Sequence, residues 1–379
     1  MRLLPALAIG WLLAAPARCE NPGVTGASVL QIPMGSRALG MGGAFSAVGT
    51  DASALYYNPA GMSRLNAHEV GFTMLTGMTD DTLQNIGYAG PTRFTGLSGN
   101  GYTSVGASLL FTQNGTIEVN KLNSDGSLQS SQNMSAGSDL VATLGYSERV
   151  GNTSLEIKDR AYGINHFIGA AGKIVNSRLA GGYSATSLAG DIGYLAHCPD
   201  TGLSLGLAIL NAGQPMKFIS ESDPLPLTLR LGSAYQLNAP PVHSVVAAAD
   251  GEYLLYERKW RMNFGLEYFW LRSYGMRLGY QFLQDALGLT VGFGARWRNR
   301  IIVDYAWGLA SALRDTHRFT VSYRFGGVAS AVRGRERQPI IDQFPDQDDF
   351  KKLEKANPPV QEEPKYRRPK GQGIPGWIY

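Results

Sequence analysis

The sequence is short of charged residues and of long apolar runs. Charged residues make up 17 % of the 379 residues, against about 25 % in typical soluble proteins. No apolar stretch of about 18 residues follows the extreme N-terminus, which excludes transmembrane helices. Two cysteines are too few for a disulfide scaffold. A net charge of +4 is too small for the basic surface of a nucleic-acid-binding protein.

Motifs for catalysis and metal binding are missing as well. The five histidines are scattered, and no two have the spacing of metal ligands. The sequence has no G-x-S-x-G elbow, no Walker loop and no H-E-x-x-H motif. Residues 40–43 imitate a phosphate loop only faintly, because they do not follow the strand of a βαβ unit. We therefore expect no enzyme, no metal and no cofactor.

Glycines and aromatic residues are abundant instead. The chain has 47 glycines and 10 % aromatic residues, and from about residue 69 to 325 its apolar residues alternate with small or polar ones. In residues 317–325, aromatic and β-branched residues occupy one face, whereas Arg318 and Arg324 lie on the other. A soluble core would not tolerate such charges. A membrane β-barrel does, because one face of each strand contacts lipid and the other a wet lumen.

The number of alternating segments predicts the fold class. An even number of strands places both ends of a bacterial barrel in the periplasm. We predict an all-β protein, a transmembrane antiparallel β-barrel of about 14 strands, with connections at 91–101, 112–137 and 149–161. A soluble sandwich or propeller is the alternative, but no blade-length repeat is visible. The segments lie near 70–77, 83–90, 102–111, 138–148, 162–176, 187–197, 203–211, 227–237, 244–253, 262–270, 274–283, 288–297, 299–306 and 317–325.

The two ends of the chain differ from the barrel region 67–325. Residues 1–19 have the basic, apolar and small-residue parts of a signal peptide, which predicts a protein of the bacterial cell outer membrane with both mature termini in the periplasm. Residues 326–379 are rich in proline and charge and predict a disordered periplasmic tail. This tail is either inert or a tether for a periplasmic partner. If Cys19 survives signal cleavage, it either pairs with Cys198 or stays a separate thiol.

A set of charged residues in the predicted strands faces the lumen. Paired carboxylates would suit hydrolysis, but a lipase also needs a Ser/His couple, and only His317 lies near the strand ends. We expect instead an ion-paired network that braces a plug inside the barrel, since a buried charge is costly unless it is paired. The candidate residues are Arg230, Glu267, Arg277, Arg296, Asp304, Arg318 and Arg324.

Residues 35–65, GSRALGMGGAFSAVGTDASALYYNPAGMSRL, resemble the N-terminal signature of the PorV/PorQ family, within the FadL-like outer-membrane barrels. The resemblance continues through 225–237 and 304–325 and excludes the tail. It implies a 14-stranded barrel whose N-terminal segment, residues 20–66, folds inward as a hatch. The signature positions that match are Gly35, Arg37, Ala38, Gly40, Met41, Gly42, Gly43, Ala44, Asp51, Ala52, Ser53, Ala54, Tyr56, Asn58, Pro59, Ala60 and Gly61.

The resemblance implies two alternative functions, both without catalysis. PorV-like members serve type IX secretion, so outer-membrane lipid, secreted cargo proteins and components of the secretion system are the expected partners. We favour this role in protein export or surface attachment. FadL-like relatives carry hydrophobic compounds such as long-chain fatty acids, and this alternative predicts an apolar pocket under the hatch. Its expected lining is Phe45, Leu55, Tyr56 and Met62.

The composition of the signature fits a segment packed inside a barrel. Glycine and alanine allow close approach to strand backbones. Asp51 or Ser53 is expected to cap a helical turn over residues 54–57, which Pro59 ends. Arg37 and Asp51 are expected to meet lumen charges of opposite sign. The segment is either a gate or only part of the interior packing.

Overall fold

A computed structural model describes residues 23–76, 81–99, 102–157, 160–239, 243–271, 273–283, 287–298, 300–310 and 315–327. Fourteen antiparallel strands form a closed barrel, which confirms the predicted fold class. None of the helices in these ranges is long and apolar enough to cross a membrane. The strands are β1 (Ala67–Thr76), β2 (Thr82–Pro91), β3 (Thr103–Leu122), β4 (Leu128–Ile157), β5 (Arg160–Leu179), β6 (Ser184–Cys198), β7 (Leu203–Gly213), the short β8 (Met216–Lys217) and β9 (Ser222–Asp223), β10 (Thr228–Ala239), β11 (His243–Leu254), β12 (Lys259–Trp270), β13 (Tyr274–Phe282), β14 (Leu287–Trp297), β15 (Ile301–Ala310) and β16 (Thr316–Gly327).

The barrel closes where its first strand meets its last. β1 pairs with β16, with Val70 opposite Tyr323, and β8 and β9 form a separate hairpin in the connection from β7 to β10. We call the end at which β1 begins and β16 ends the turn end, and the opposite end the loop end. Residues 92–99 and the connection at 199–202 lie at the turn end, whereas the connections at 214–227 and 255–258 lie at the loop end.

Side chains alternate between the two faces of the wall, because successive Cβ atoms of a strand point to opposite sides. In β13, Met276 and Leu278 are about half exposed on the outer face, at 54 % and 50 %. Arg277 and Gln281 of the same strand are buried on the inner face. The outer face is therefore apolar and the inner face polar, as expected of strands between lipid and a lumen.

Two stretches predicted as connections are strands. Residues 112–137 mostly form the distal parts of β3 and β4, which reach beyond the loop end, and residues 149–161 mostly extend β4 and β5 beyond the turn end. Both hairpins leave the barrel, so water reaches their two faces. Their sequences consequently lack the apolar alternation by which a half-buried strand is recognised.

Four of the five histidines pair with tyrosines on the outer face. In each pair, Nδ1 of the histidine lies within hydrogen-bond distance of the phenolic oxygen on the neighbouring strand. Rings with an apolar body and a polar edge suit the boundary between lipid and water. The pairs are His68–Tyr88 at 2.9 Å, His166–Tyr194 at 2.6 Å, His243–Tyr268 at 2.7 Å and His317–Tyr305 at 2.8 Å.

Several predictions fall outside the described ranges. The signal peptide, residues 1–19, and nearly all of the predicted tail, 326–379, lie there, as does Cys19. Cys198 is a buried free thiol at the turn end of β6.

Candidate functional site

Residues 25–66, which we call the N-terminal segment, pack against the inner face of the barrel. Its regular elements are short: a 3₁₀ helix at Ser28–Gln31, α1 at Ser36–Gly40, α2 at Ala54–Tyr57 and a second 3₁₀ helix at Pro59–Arg64. Nearly every residue from 33 to 49 is fully or mostly buried. A segment with so little regular structure holds its shape through contacts with the wall.

The N-terminal segment crosses the barrel from one end to the other. At the loop end, the Gly26 N–H donates to the Pro224 carbonyl at 3.0 Å, and Thr25 donates to Glu257 at 2.9 Å. The segment then enters β1 at Ala67, at the turn end. The expectation that both mature termini lie in the periplasm stays a prediction, because residues 20–22 and 328–379 lie outside the described ranges.

Glycines of the wall make room for the segment. A Cβ at Gly265 of β12 would lie 2.5 Å from the Met41 carbonyl oxygen, and one at Gly169 of β5 would lie 2.5 Å from the Ala60 nitrogen. Any other residue at these two positions would push the segment away from the strands. The glycine-rich strands and the glycine-rich signature therefore pack backbone against backbone.

Arg37 joins the segment to the barrel through ion pairs. Its Nη2 lies 2.6 Å from Oε2 of Glu267 on β12, and its Nη1 lies 3.1 Å from Oδ2 of Asp51 within the segment. Glu267 also accepts from Nε of Arg277 at 2.7 Å, and Arg277 Nη1 is 2.7 Å from Asp304. The network contains two cations and three carboxylates, all largely buried.

Two further arginines of the candidate set have carboxylate partners that the sequence analysis did not identify. Arg324 of β16 lies 2.7 Å from Glu69 of β1, and Arg230 of β10 pairs with Glu252 of β11. These partners sit on neighbouring strands. Their identity follows from strand register, which the spacing along the sequence does not define.

The last two candidates make different contacts. The Arg296 guanidinium lies 4.2 Å from the ring centroid of Phe269, a buried inward-facing aromatic of β12. Arg318 is 2 % exposed and donates through Nη1 to the Pro33 carbonyl of the N-terminal segment. All seven predicted lumen charges thus face inward.

Signature residues Asn58 and Asp51 fix the fold of the segment itself. Asn58 Nδ2 donates to the carbonyls of Ser46 and Tyr194, both at 3.0 Å, and its Oδ1 accepts from the Ala60 N–H at 3.1 Å, at the start of the second 3₁₀ helix. Asp51 accepts from the Ser53 N–H at 3.0 Å, although the Ser53 side chain makes no capping bond to α2. The remaining signature glycines lie close to neighbouring groups of the segment or the wall: Gly35, Gly40, Gly42, Gly43 and Gly61. Met41 and Pro59 of the signature are buried.

A cavity of about 950 Å³, including space open to solvent, lies between the N-terminal segment and the wall formed by β14–β16 and β1–β5. Leu55 and Tyr56 line it, as does Arg37. Phe45 and Met62 are fully buried elsewhere: Phe45 packs edge-on against Tyr57, and Met62 belongs to an apolar cluster with Leu55.

The two ends of the cavity differ in polarity. Toward the loop end, Leu30, Leu110 and Val141 line it and belong to the same buried apolar cluster as Leu75 and Leu83. Toward the turn end, its lining includes Glu69, Arg324 and Asp51. The cavity therefore offers an apolar part and a polar part to one occupant.

The cavity does not have the composition of a metal centre. Within the described ranges, no group of three or more His, Cys, Asp or Glu side chains is arranged to hold a metal ion. Nearly every charged side chain in its wall takes part in an ion pair. Its remaining polar groups are mostly hydroxyls and an amide, which suit the binding of an uncharged molecule better than acid–base chemistry.

Comparisons with known proteins agree with the barrel. Residues 14–217 match the uncharacterised protein family UPF0164, and no curated protein matches the sequence. Among solved structures, the chain is similar to the P. putida toluene transporter TodX, at 14 % identity and a TM-score of 0.50. The Ralstonia pickettii toluene transporter TbuX gives 14 % and 0.49, and a Pseudomonas aeruginosa FadL homologue gives 11 % and 0.41. Each alignment covers 77 % of this chain and 98 % of the other chain. At such identity, the match to TodX shows a shared fold.

Proposed function

We propose that this chain, which belongs to the uncharacterised protein family UPF0164, is an outer-membrane channel for small hydrophobic molecules. The observation that carries the proposal is the cavity between the N-terminal segment and the wall, with its apolar and polar ends. The lipid-facing outer surface of the barrel places this cavity at membrane level. Its apolar part around Leu110 and Val141 gives a hydrophobic molecule a binding site inside a polar lumen.

The N-terminal segment acts as the hatch of this channel. It packs against the inner face of the barrel, and it is fixed to the wall at separate points by Arg37, by Asn58 and by Arg318. Such a plug stops water and hydrophilic solutes, while the cavity beside it lets a molecule of suitable size pass. Long-chain fatty acids and monoaromatic compounds are both small enough to be tested as passengers.

The structural neighbours favour uptake of hydrophobic compounds over protein export. TodX and TbuX are named as toluene transporters, whereas the role in type IX secretion was implied by the PorV/PorQ resemblance alone. The cavity is also too small for a folded cargo domain. We therefore favour the channel function over the export function.

Uptake by cells tests the channel. The host is a bacterium that lacks its own outer-membrane channel for hydrophobic compounds, and the substrates are labelled toluene, labelled oleate and a labelled alkylphenol. Expression of the full chain should raise uptake of at least one of them. Gly87→Leu should abolish the increase, because a Cβ at Gly87 meets no atom closer than 3.6 Å and the larger side chain extends into the cavity.

Gly172→Leu is the matched control. Gly172 lies on the outer face of β5, where a Cβ would have no atom within 4 Å, so this variant should transport like the parent chain. Equal uptake by Gly87→Leu and Gly172→Leu, at equal expression, would place the route of transport outside this cavity. No uptake above background by the parent chain would contradict the channel itself.

A further inference from the structure

One inward-facing row of residues crosses six strands beside the cavity. Directly opposed residues link Ser322 to Gly71, Gly71 to Gly87, Gly87 to Ser108, Ser108 to Thr143 and Thr143 to Lys173. All six line the cavity. The row therefore consists of two adjacent glycines with hydroxyl groups on both sides.

Several polar side chains of this part of the wall make no hydrogen bond to another described residue. Thr143 and Ser322 are 6 % exposed, yet neither side chain makes such a hydrogen bond, and neither do Ser108 and Asn85 in the same wall. Buried polar groups are almost always hydrogen-bonded. Ser108 and Asn85 are half-buried, and all four side chains line the cavity, so their polar groups are available to hydrogen-bond a molecule that occupies it.

Three cations in the cavity wall have carboxylate partners. Lys173 lies 2.7 Å from Asp191 and donates to Asn211 at 2.6 Å. Arg37 and Arg324 have carboxylate partners of their own, as described above. A ligand carboxylate would lose its water and would have to compete with these carboxylates for Lys173, Arg37 and Arg324.

A pure hydrocarbon also fits this wall poorly. It would displace water from Ser108, Thr143 and Ser322 and leave their hydroxyls unpaired, which costs about 1–3 kcal/mol for each buried group. A site built to hydrogen-bond a substrate group strongly disfavours the analogue that lacks it. The apolar residues Leu110 and Val141 nevertheless require an apolar body.

We propose that the cavity selects uncharged molecules with an apolar body and at least one hydroxyl or carbonyl group, such as alkylphenols or long-chain alcohols. This assignment rests on the proposed channel function and names its substrate class. The apolar body lies toward Leu110 and Val141 at the loop end. The oxygen lies against Ser108, Thr143 and Ser322, over the open backbone of Gly71 and Gly87.

Binding of three matched probes to the full chain in lipid nanodiscs tests the assignment. The probes are 4-butylphenol, butylbenzene and 4-butylbenzoate, which share a body and differ in one group, and the measurement is isothermal titration calorimetry. We expect the phenol to bind about tenfold more tightly than either other probe, the value of one good hydrogen bond.

Variants of the hydroxyl wall locate the contact. Thr143→Val and Ser322→Ala should each weaken phenol binding about five- to tenfold while leaving butylbenzene binding unchanged, which also shows that the variant is folded. Thr186→Val, the same change at an exposed position of β6, should have no effect on either probe.

The outcomes separate the two proposals. If butylbenzene or 4-butylbenzoate binds as tightly as the phenol, or if Thr143→Val and Ser322→Ala leave phenol binding unchanged, the substrate class is wrong and the channel function stands. If no probe binds and the full chain also fails to raise uptake in cells, both proposals are wrong.

Discussion

Arg37 connects the N-terminal segment to the wall through a buried ion pair. Its guanidinium pairs with Glu267 at 2.6 Å and with Asp51 at 3.1 Å, and all three side chains are largely or fully buried. Removal of one member of a buried ion pair leaves an uncompensated charge, at a cost of about 3–5 kcal/mol. Glu267 would keep Arg277, but Asp51 would have no cation in the same position.

We therefore expect Arg37→Ala to loosen the segment and to raise the sensitivity of expressing cells to hydrophilic antibiotics, measured as the minimal inhibitory concentration. Arg178→Ala, at an exposed position of β5, is the control and should leave sensitivity unchanged. Unchanged sensitivity of Arg37→Ala at equal expression would show that the pair is not needed to keep the lumen closed.

At this scale, the sequence defines residue types better than it defines partners. The opposite signs of Arg37 and Asp51 predict that both find counter-charges, and the structure joins them to each other. The pairing with Glu267 depends on the register of β12 against a segment that is distant in sequence. The unpaired hydroxyl of Thr143 gives no signal at all, because a threonine on the polar face of a strand is ordinary.

Among the elements, the turn at residues 44–49 has a distinctive connection to the wall. The backbone N–H groups of Phe45 and Ser46 both donate to Oδ2 of Asp250 on β11, each at 3.0 Å. Asp250 is 3 % exposed and lies beside Arg230. Hydrogen bonds to a charged group contribute about 1.5–3 kcal/mol, so this carboxylate holds the turn against the strand.

Asp250→Asn keeps the shape of the side chain but removes its charge. An NH₂ group, which donates hydrogen bonds, replaces one of the two carboxylate oxygens, which accept them. We expect the barrel to lose about 1.5–3 kcal/mol of stability, seen as a lower temperature for the loss of heat-modifiable migration in gel electrophoresis. Asp200→Asn, in an exposed turn where the carboxylate accepts from Gly163 at 3.3 Å, is the matched control and should shift this temperature little. Equal shifts for both variants would contradict a specific role of Asp250.

The sequence predicts those strands whose two faces have different surroundings, since only they alternate between apolar and polar residues. β13 and β16 alternate strictly because one face meets lipid and the other meets the N-terminal segment. The hairpins at 112–137 and 149–161 have water on both faces, so their sequences look like loops although the backbone is paired. The short β8–β9 hairpin gives no pattern, since two residues per strand are too few for a period.

On the scale of the whole molecule, the path of the N-terminal segment determines where the chain begins in the membrane. Residues 25–31 contact Pro224 and Glu257 at the loop end, whereas β1 starts at the turn end. A ten-residue strand such as β1 is about 33 Å long, so residue 25 and the start of β1 are separated by about the length of one strand.

Bacterial barrels with an even number of strands keep both barrel ends of the chain in the periplasm, which places the loop end outside the cell. We therefore expect the start of the N-terminal segment to be reachable from outside. In a chain with Cys19→Ala and Cys198→Ala, Val24→Cys should react with a maleimide coupled to a 5-kDa polymer on intact cells, since Val24 is 39 % exposed. Leu97→Cys, 86 % exposed at the turn end, should react only after the outer membrane is opened. The reverse order of labelling would invert the orientation, and labelling of neither site would contradict the exposure of both ends.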